Sequence, residues 1–202
     1  MNRFWIFAAA VCGTIASSAA LPAGNAQSGQ AKAVVCGACH GQNGNSASAD
    51  YPSLAGLGEE YIAEQLQNFK DGKRDSAIMK PLAQPLSSAD MADLGAYFNT
   101  LPNTGLEADP SYWLAGEKLY RGGDRERGIP ACMACHGPTG TGNEPGKFPA
   151  LRGQHAEYVV KQLNAYAAGT RPPGPRGIMP AIAKRLTAED IRNIASYVQG
   201  MR

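Results

Sequence analysis

Cys36-Gly37-Ala38-Cys39-His40-Gly41 recurs as Cys132-Met133-Ala134-Cys135-His136-Gly137, an offset of 96 (36 to 132). The flanking sequence recurs with it. Tyr51-Pro52-Ser53-Leu54-Ala55-Gly56 returns as Phe148-Pro149-Ala150-Leu151-Arg152-Gly153, and Glu60-Tyr61-Ile62 to Phe69 returns as Glu157-Tyr158-Val159 to Tyr166, both at offset 97. Ile78-Met79 matches Ile178-Met179, and Leu86 to Leu101 matches Leu186 to Met201, both at offset 100. The order of motifs is kept and the drift is small, so the chain is a tandem duplication of one module. Pro102 to Pro110 is a turn-rich boundary. The expected division is a first domain at 21–101, a linker at 102–110 and a second domain at 111–202. So short a linker holds the copies close together.

Within each copy the apolar residues follow helical spacing. Ile62, Leu66 and Phe69 stand at i, i+4 and i+7, as do Val159, Leu163 and Tyr166. Met91, Leu94, Phe98 and Leu101 follow the same rule, mirrored by Ile191, Ile194, Val198 and Met201. Ser87 and Thr187 stand at N-cap positions, with Asp90 and Asp190 three residues later. A further helix is expected from Ser111 to about Tyr120. No alternating run of β-branched residues competes, so the fold class is all-α.

The chain has 202 residues, with 24 Gly and 14 Pro against 7% aromatics, which makes it rich in loops and poor in large core side chains. Two small domains of this make-up are marginal on apolar burial alone, so a cofactor is expected to complete each core. A formal charge of +2 excludes a nucleic-acid binder built on bulk positive charge. The first twenty residues read as a signal peptide. Arg3 precedes the apolar run Phe4 to Ala16, and Ser18-Ala19-Ala20 supplies a small-residue cleavage site, with Gly24-Asn25-Ala26 as a later option. A retained anchor is the competing reading, but the run falls short of the ~20 apolar residues a span needs. Cys12 leaves with the peptide. No other stretch is apolar enough to span, so the mature chain is expected to be exported without a membrane span.

C-x-x-C-H marks attachment of a c-type haem. Two thiols one helical turn apart can each add to a vinyl group, and the adjacent histidine aims at the iron. A zinc site would need two further ligands near each CxxC, and only His155 lies outside the motifs. A redox CxxC would want a strand–helix context, which is missing. The expectation is therefore two covalent haem c groups, held by Cys36, Cys39 and His40 and by Cys132, Cys135 and His136. The sixth ligand follows by elimination among six methionines. Met1 leaves with the signal peptide. Met91 and Met201 align with Ile191 and Leu101 as core positions, and Met133 aligns with Gly37. Met79 and Met179 match each other, in proline-rich loops. His155 aligns with Gly58 and reads as a surface or capping residue.

The two CxxCH motifs, the paired Pro-x-Leu-x-Gly segments, the paired methionines and the paired terminal helices resemble the dihaem cytochrome c4 family, over essentially all of 20–202. The resemblance implies two class I cytochrome c domains facing each other. It also implies that Pro52 and Pro149 lend backbone carbonyls to His40 and His136. It implies a periplasmic electron carrier between a quinol-oxidising complex and a terminal oxidase, with no catalytic residue of its own. One departure stands out. Gly116 lies sixteen residues before Cys132 but Gly29 only seven before Cys36, so Arg121–Ile129 is an insertion.

His/Met ligation leaves no open site on the iron and raises its potential, which suits outer-sphere electron transfer. Two other functions fit less closely: the cytochrome subunit of a dehydrogenase, such as a sulfide-oxidising flavocytochrome, and a dihaem peroxidase, which would have to free one coordination site. Charge separates the copies. Residues 20–109 carry five Lys/Arg against ten Asp/Glu, and 110–202 carry thirteen against seven. A basic face on the second copy, with Arg171, Arg176, Lys184 and Arg185 near the haem edge, is expected to meet an acidic redox partner.

Overall fold

Glycine decides how the main helices meet. A Cβ on Gly29 would lie 2.0 Å from the carbonyl oxygen of Asp93, and one on Gly116 would lie 2.0 Å from that of Asn193. In each half the first helix therefore crosses the last backbone against backbone. In this computed structural model, residues 23–201 are described. The expected signal peptide at 1–20, with Met1 and Cys12, lies outside the described residues.

The first half runs α1 (Ala26–Lys32), a 3-10 turn (Ala33–Val35), α2 (Gly37–His40), α3 (Glu59–Lys70), α4 (Met79–Ala83) and α5 (Ser88–Thr100). The second runs α6 (Pro110–Gly122), α7 (Met133–His136), α8 (Ala156–Ala168), α9 (Met179–Ala183) and α10 (Ala188–Gly200). The described residues are mostly helical, with two isolated antiparallel bridges, Asp124–Ile129 and Asn143–Phe148. The all-α expectation holds. Helix α5 packs on α1 and α3, and α10 packs on α6 and α8. The helix expected from Ser111 starts one residue earlier, at Pro110, with the Asp109 side chain accepting from Ser111 N–H.

Both terminal helices open with a full capping box. Ser87 accepts from the Asp90 N–H while Asp90 accepts from the Ser87 N–H, and Thr187 and Asp190 do the same. Each box is pinned by a cation from outside its helix. Lys32 lies 2.6 Å from both Asp90 and Asp93. In the Gly29/Gly116 register the residue matching Lys32 is Leu119, which carries no charge. The insertion supplies the cation instead: Arg127 lies 2.6 Å from Asp190 and 2.6 Å from Asp124. The Arg121–Ile129 segment thus rebuilds in the second half an ion pair that α1 makes in the first.

The two cores differ in size. Ala33, Ile62, Leu94 and Phe98 form the buried cluster of the first half. The second half has the larger cluster, with Leu119, Tyr120, Ile129 and Tyr197 joining Leu163, Ile191, Ile194, Val198 and Met201. Met91 and Met201 are buried, 2% and 7% exposed, as expected of core methionines.

Candidate functional site

Each CxxCH forms one short helical turn. Cys36 stands at the N-cap of α2 and Cys132 at that of α7. The His40 N–H donates to the Cys36 carbonyl at 3.0 Å, and His136 repeats this bond to Cys132 at 3.0 Å. Both thiols of a pair thereby project from one turn. The glycine after each histidine ends the turn with positive φ, +80° at Gly41 and +81° at Gly137, a conformation that favours glycine.

The two histidines are buried, and their ring nitrogens are told apart by a carbonyl. The His40 Nδ1 lies 2.7 Å from the Pro52 oxygen and the His136 Nδ1 2.8 Å from the Pro149 oxygen. A carbonyl can only accept, so Nδ1 carries the proton and Nε2 presents a lone pair. Burial lowers the pKa of both imidazoles, which favours this neutral, ligating form. Tyr51 and Phe148 stand edge-on to the two rings, at 6.3 Å and 6.0 Å between centroids. The carbonyl partners implied by the family resemblance are in place.

Met79 and Met179 are the first residues of α4 and α9 rather than loop residues. Pro172, Pro173 and Pro175 lead into α9, whereas in the first half Pro81 lies within α4 and Pro85 follows it. Cys36, Cys39, His40, Met79, Cys132, Cys135, His136 and Met179 all line one continuous cavity of about 620 Å³ that runs between the halves. Burial raises the pKa of Cys36 and pushes that of Cys132 up to about 11. Among the described residues no cluster of three or more His, Cys, Asp or Glu could hold a metal ion.

Where the halves meet, the duplication makes a two-fold network. Arg74 donates to its own half's Gln65 at 2.8 Å and reaches across to Tyr158 at 2.7 Å and Gln162 at 2.9 Å. Arg171 donates to Gln162 at 2.8 Å and across to Tyr61 at 2.7 Å. Each guanidinium folds back over a ring near the end of the preceding helix, Arg74 on Phe69 of α3 at 4.7 Å and Arg171 on Tyr166 of α8 at 4.5 Å. Arg171 is buried, 6% exposed, so it is not part of an exposed basic face. The docking expectation loses that residue and keeps Arg176, Lys184 and Arg185, which are exposed.

His155 also departs from expectation. It holds the N-cap position of α8, but its side chain is buried and its Nε2 donates to the Ser46 carbonyl of the other half at 2.9 Å. It is an interdomain hydrogen-bond donor. Beside it, Gln154 accepts from the Ser53 N–H and donates to the Ser53 carbonyl, both at 2.9 Å. Sequence reasoning overlooked these junction residues. The internal alignment carried a signal for some of them: Tyr61/Tyr158, Gln65/Gln162 and Arg74/Arg171 are identical at offset 97. Gln154 and His155 align with Leu57 and Gly58, which share none of their chemistry, and gave no signal.

A covalently attached haem c fits each half of the cavity. Thiols one turn apart and an imidazole with a free Nε2 meet its two vinyl groups and its iron. Its propionates need cations, and Arg171 Nε is a buried nitrogen without a hydrogen-bond partner. Arg171 and Arg74 line the same cavity. Uncompensated buried charge is costly, so two buried guanidiniums bonded to neutral groups call for an anion between them.

Residues 26–102 and 114–202 each match the family profile described as cytochrome c. Cytochrome c4 of Pseudomonas aeruginosa is 48% identical over 180 residues, covering 89% of this chain and 90% of that protein. A thiosulfate dehydrogenase electron acceptor of Thiomonas intermedia is 42% identical over 171 residues, covering 83% of this chain and 78% of that protein. The crystal structure of reduced recombinant cytochrome c4 from Pseudomonas stutzeri superposes with a TM-score of 0.86 at 43% identity, covering 89% of this chain and 100% of that one. Two cytochrome c domains in tandem, each carrying its own haem c attachment motif, make this chain a member of the cytochrome c4 family, a dihaem electron-transfer protein rather than an enzyme.

Proposed function

We propose that the protein shuttles single electrons in the periplasm, from a quinol-oxidising complex to a terminal oxidase, with one haem held by Cys36, Cys39, His40 and Met79 and the other by Cys132, Cys135, His136 and Met179. The observation that carries this reading is the duplicated pair of histidine–proline bonds, each fixing an Nε2 lone pair, in one cavity that both methionines also line. Bound haem supplies the one-electron couple. The chain's own residues orient the imidazoles, exclude water and hold charge near the propionates. Met sulfur opposite imidazole favours the reduced iron. With His40 and Met79 holding one haem iron and His136 and Met179 the other, no position would remain for peroxide, which argues against peroxidase activity.

A domain division at 21–101 and 111–202 accords with α5 ending at Thr100 and α6 starting at Pro110. No described helix is long and apolar enough to cross a membrane. Export by a cleaved signal peptide accords with the first segment's composition. Asn25 caps α1 through the Ser28 N–H, and Gly24 N–H donates to Glu59 at 2.6 Å. Cleavage after Ala20 keeps both contacts, whereas cleavage after Ala26 removes them. A redox titration followed by visible spectra tests the central reading. Two one-electron waves with His/Met spectra are expected, and a high-spin component at rest would refute it.

A second reading has a specific observation in its favour. The resemblance to a thiosulfate dehydrogenase electron acceptor points to a dehydrogenase as electron donor. Stopped-flow reduction by a thiosulfate-oxidising dehydrogenase and by a quinol-oxidising complex, at matched concentration, separates the two readings by rate.

A further inference from the structure

The halves are near copies, but they do not treat each other's histidine loops alike. In the first half the residue after Pro52 is Ser53, and both its backbone groups are bonded to one side chain of the other half. Gln154 Oε1 accepts from Ser53 N–H, and Gln154 Nε2 donates to the Ser53 carbonyl, each at 2.9 Å. All three groups are buried, with Ser53 3% and Gln154 8% exposed. The neighbouring His155 holds the start of the same loop at Ser46. Pro52, whose carbonyl accepts from His40 Nδ1, sits between these two anchors. The reverse arrangement is missing. By the repeat, Ser53 corresponds to Ala150 and Gln154 to Leu57, whose side chain has no hydrogen-bonding group. The second domain clamps the backbone of the first histidine loop next to Pro52, whereas the first domain meets the second loop through two side chains, Glu144 accepting from Glu59 N–H at 2.8 Å and Lys147 pairing with Glu60 at 3.0 Å, with no such clamp beside Pro149 among the described residues.

We propose that Gln154 is a positioning residue that fixes the His40–Pro52 hydrogen bond from across the domain junction, so that this one contact tunes the first haem and leaves the second untouched. The inference rests on His40 being an axial ligand. A carbonyl accepting from Nδ1–H makes the imidazole a stronger donor and favours ferric iron, as outer partners of a ligating histidine do. Two backbone bonds to a buried amide restrain the Pro52 carbonyl more tightly than the loop alone can. Weakening that restraint raises the potential of the first haem.

The test uses the dihaem holoprotein. Gln154→Met keeps the length of the side chain and removes both hydrogen bonds. Glu144→Ala is the control, because Glu144 accepts from Glu59 N–H across the same junction but belongs to the second histidine loop and does not touch the first. Two quantities are read. One is the exchange rate of the His40 and His136 Nδ1–H protons by NMR. The other is the potential of each haem, with the first identified by its contacts to Cys36 and Cys39. In Gln154→Met the His40 proton is expected to exchange about tenfold faster. The reduced-to-oxidised ratio of the first haem should rise about threefold at fixed applied potential, about 28 mV at 59 mV per tenfold for one electron. In Gln154→Met the second haem and His136 stay unchanged, and the control variant leaves the first haem and His40 unchanged. Gln154→Glu keeps an oxygen for Ser53 N–H and should fall between. An unchanged His40 exchange rate overturns the positioning role. Equal shifts at both haems, or the same shift in Glu144→Ala, reduce it to a loosened interface and overturn it too. Faster exchange of His40 with neither potential moving overturns the tuning by striking at the ligand assignment, with the hydrogen bonds left standing.

Discussion

A methionine in a protein interior is usually an adaptable filler, and Met91 and Met201 fit that role: both are buried, Met91 within α5 and Met201 at the C-cap of α10. Met79 and Met179 differ because they start short helices that open onto the cavity holding the histidines. The first prediction is made at this scale. In holoprotein, Met79→Ala and Met179→Ala should each remove about half of the sulfur-to-iron charge-transfer absorption and lower one of the two potentials. An unchanged oxidised spectrum in Met179→Ala would refute the assignment in the second half. Arg171 supports a second residue-scale prediction. Its Nε lacks a partner among the described residues, and its Nη2 donates to Tyr61 across the junction. Arg171→Leu should therefore loosen the packing around the covalently held haem and the domain contact together, seen as faster proteolysis at the junction. Lys184→Leu, at an exposed site, should do neither.

Helix packing turns on single atoms at the glycine crossings. Gly116→Ala forces a methyl to within 2.0 Å of the Asn193 carbonyl oxygen, and rigid backbone on both sides gives it nowhere to go. Overpacking of this kind costs about 1–3 kcal/mol, so thermal or denaturant unfolding of the second domain should show at least that loss. The capping boxes predict a pH effect. Hydrogen bonds from Lys32 hold Asp90 and Asp93 below the usual carboxylate range, and Arg127 does the same for Asp190. A carboxylate with a depressed folded-state pKa contributes stability above its ordinary value, about 4, and that contribution is lost as pH falls below it. Lys32→Met and Arg127→Met should therefore lower stability at neutral pH and flatten its decline between about pH 5 and pH 2. A parallel, equally steep decline in the variants would show that these pairs carry no linkage.

At the scale of the whole molecule the two halves differ in charge and in core. The second half's excess of cations and the first half's excess of carboxylates make the protein dipolar, and a dipole orients it in a partner's field before contact. With Arg171 buried, the exposed basic rim is Arg176, Lys184 and Arg185. Reversing Lys184 and Arg185 to glutamate should slow electron exchange with an acidic partner at low salt. The effect should fade as screening shortens to ~10 Å at 0.1 M. Reversing Lys73 and Lys80 in the first half should matter less, and equal effects would remove the basic face from docking. The cores predict unequal dependence on haem. Only four buried residues form the first cluster, whereas the second has nine. Cys36→Ser with Cys39→Ser should leave the first domain degraded. The matching pair at Cys132 and Cys135 should leave more residual helix, read by circular dichroism.

The sequence by itself determined the duplication, the helices and the cysteine, histidine and methionine sets that line the cavity, because each set is read from local pattern within a repeat. Two thiols and a histidine on one turn, apolar residues at helical spacing and a Ser or Thr three residues before an Asp depend on neighbours a few positions away. Even Lys32 and Gly29 act within a repeat whose register the sequence displays. What only the tertiary structure decided lies at the junction. His155 looked like a surface residue because nothing near it in sequence says that Ser46 lies 2.9 Å away. Arg171 looked like part of a charged face because a buried cation is recognised only by what surrounds it: Tyr61, Gln162 and the wall of the cavity. The insertion's purpose was hidden for the same reason, since the Arg127–Asp190 pair closes over sixty intervening residues (127 to 190). Burial and long-range pairing are properties of the assembled chain, and no local pattern encodes them.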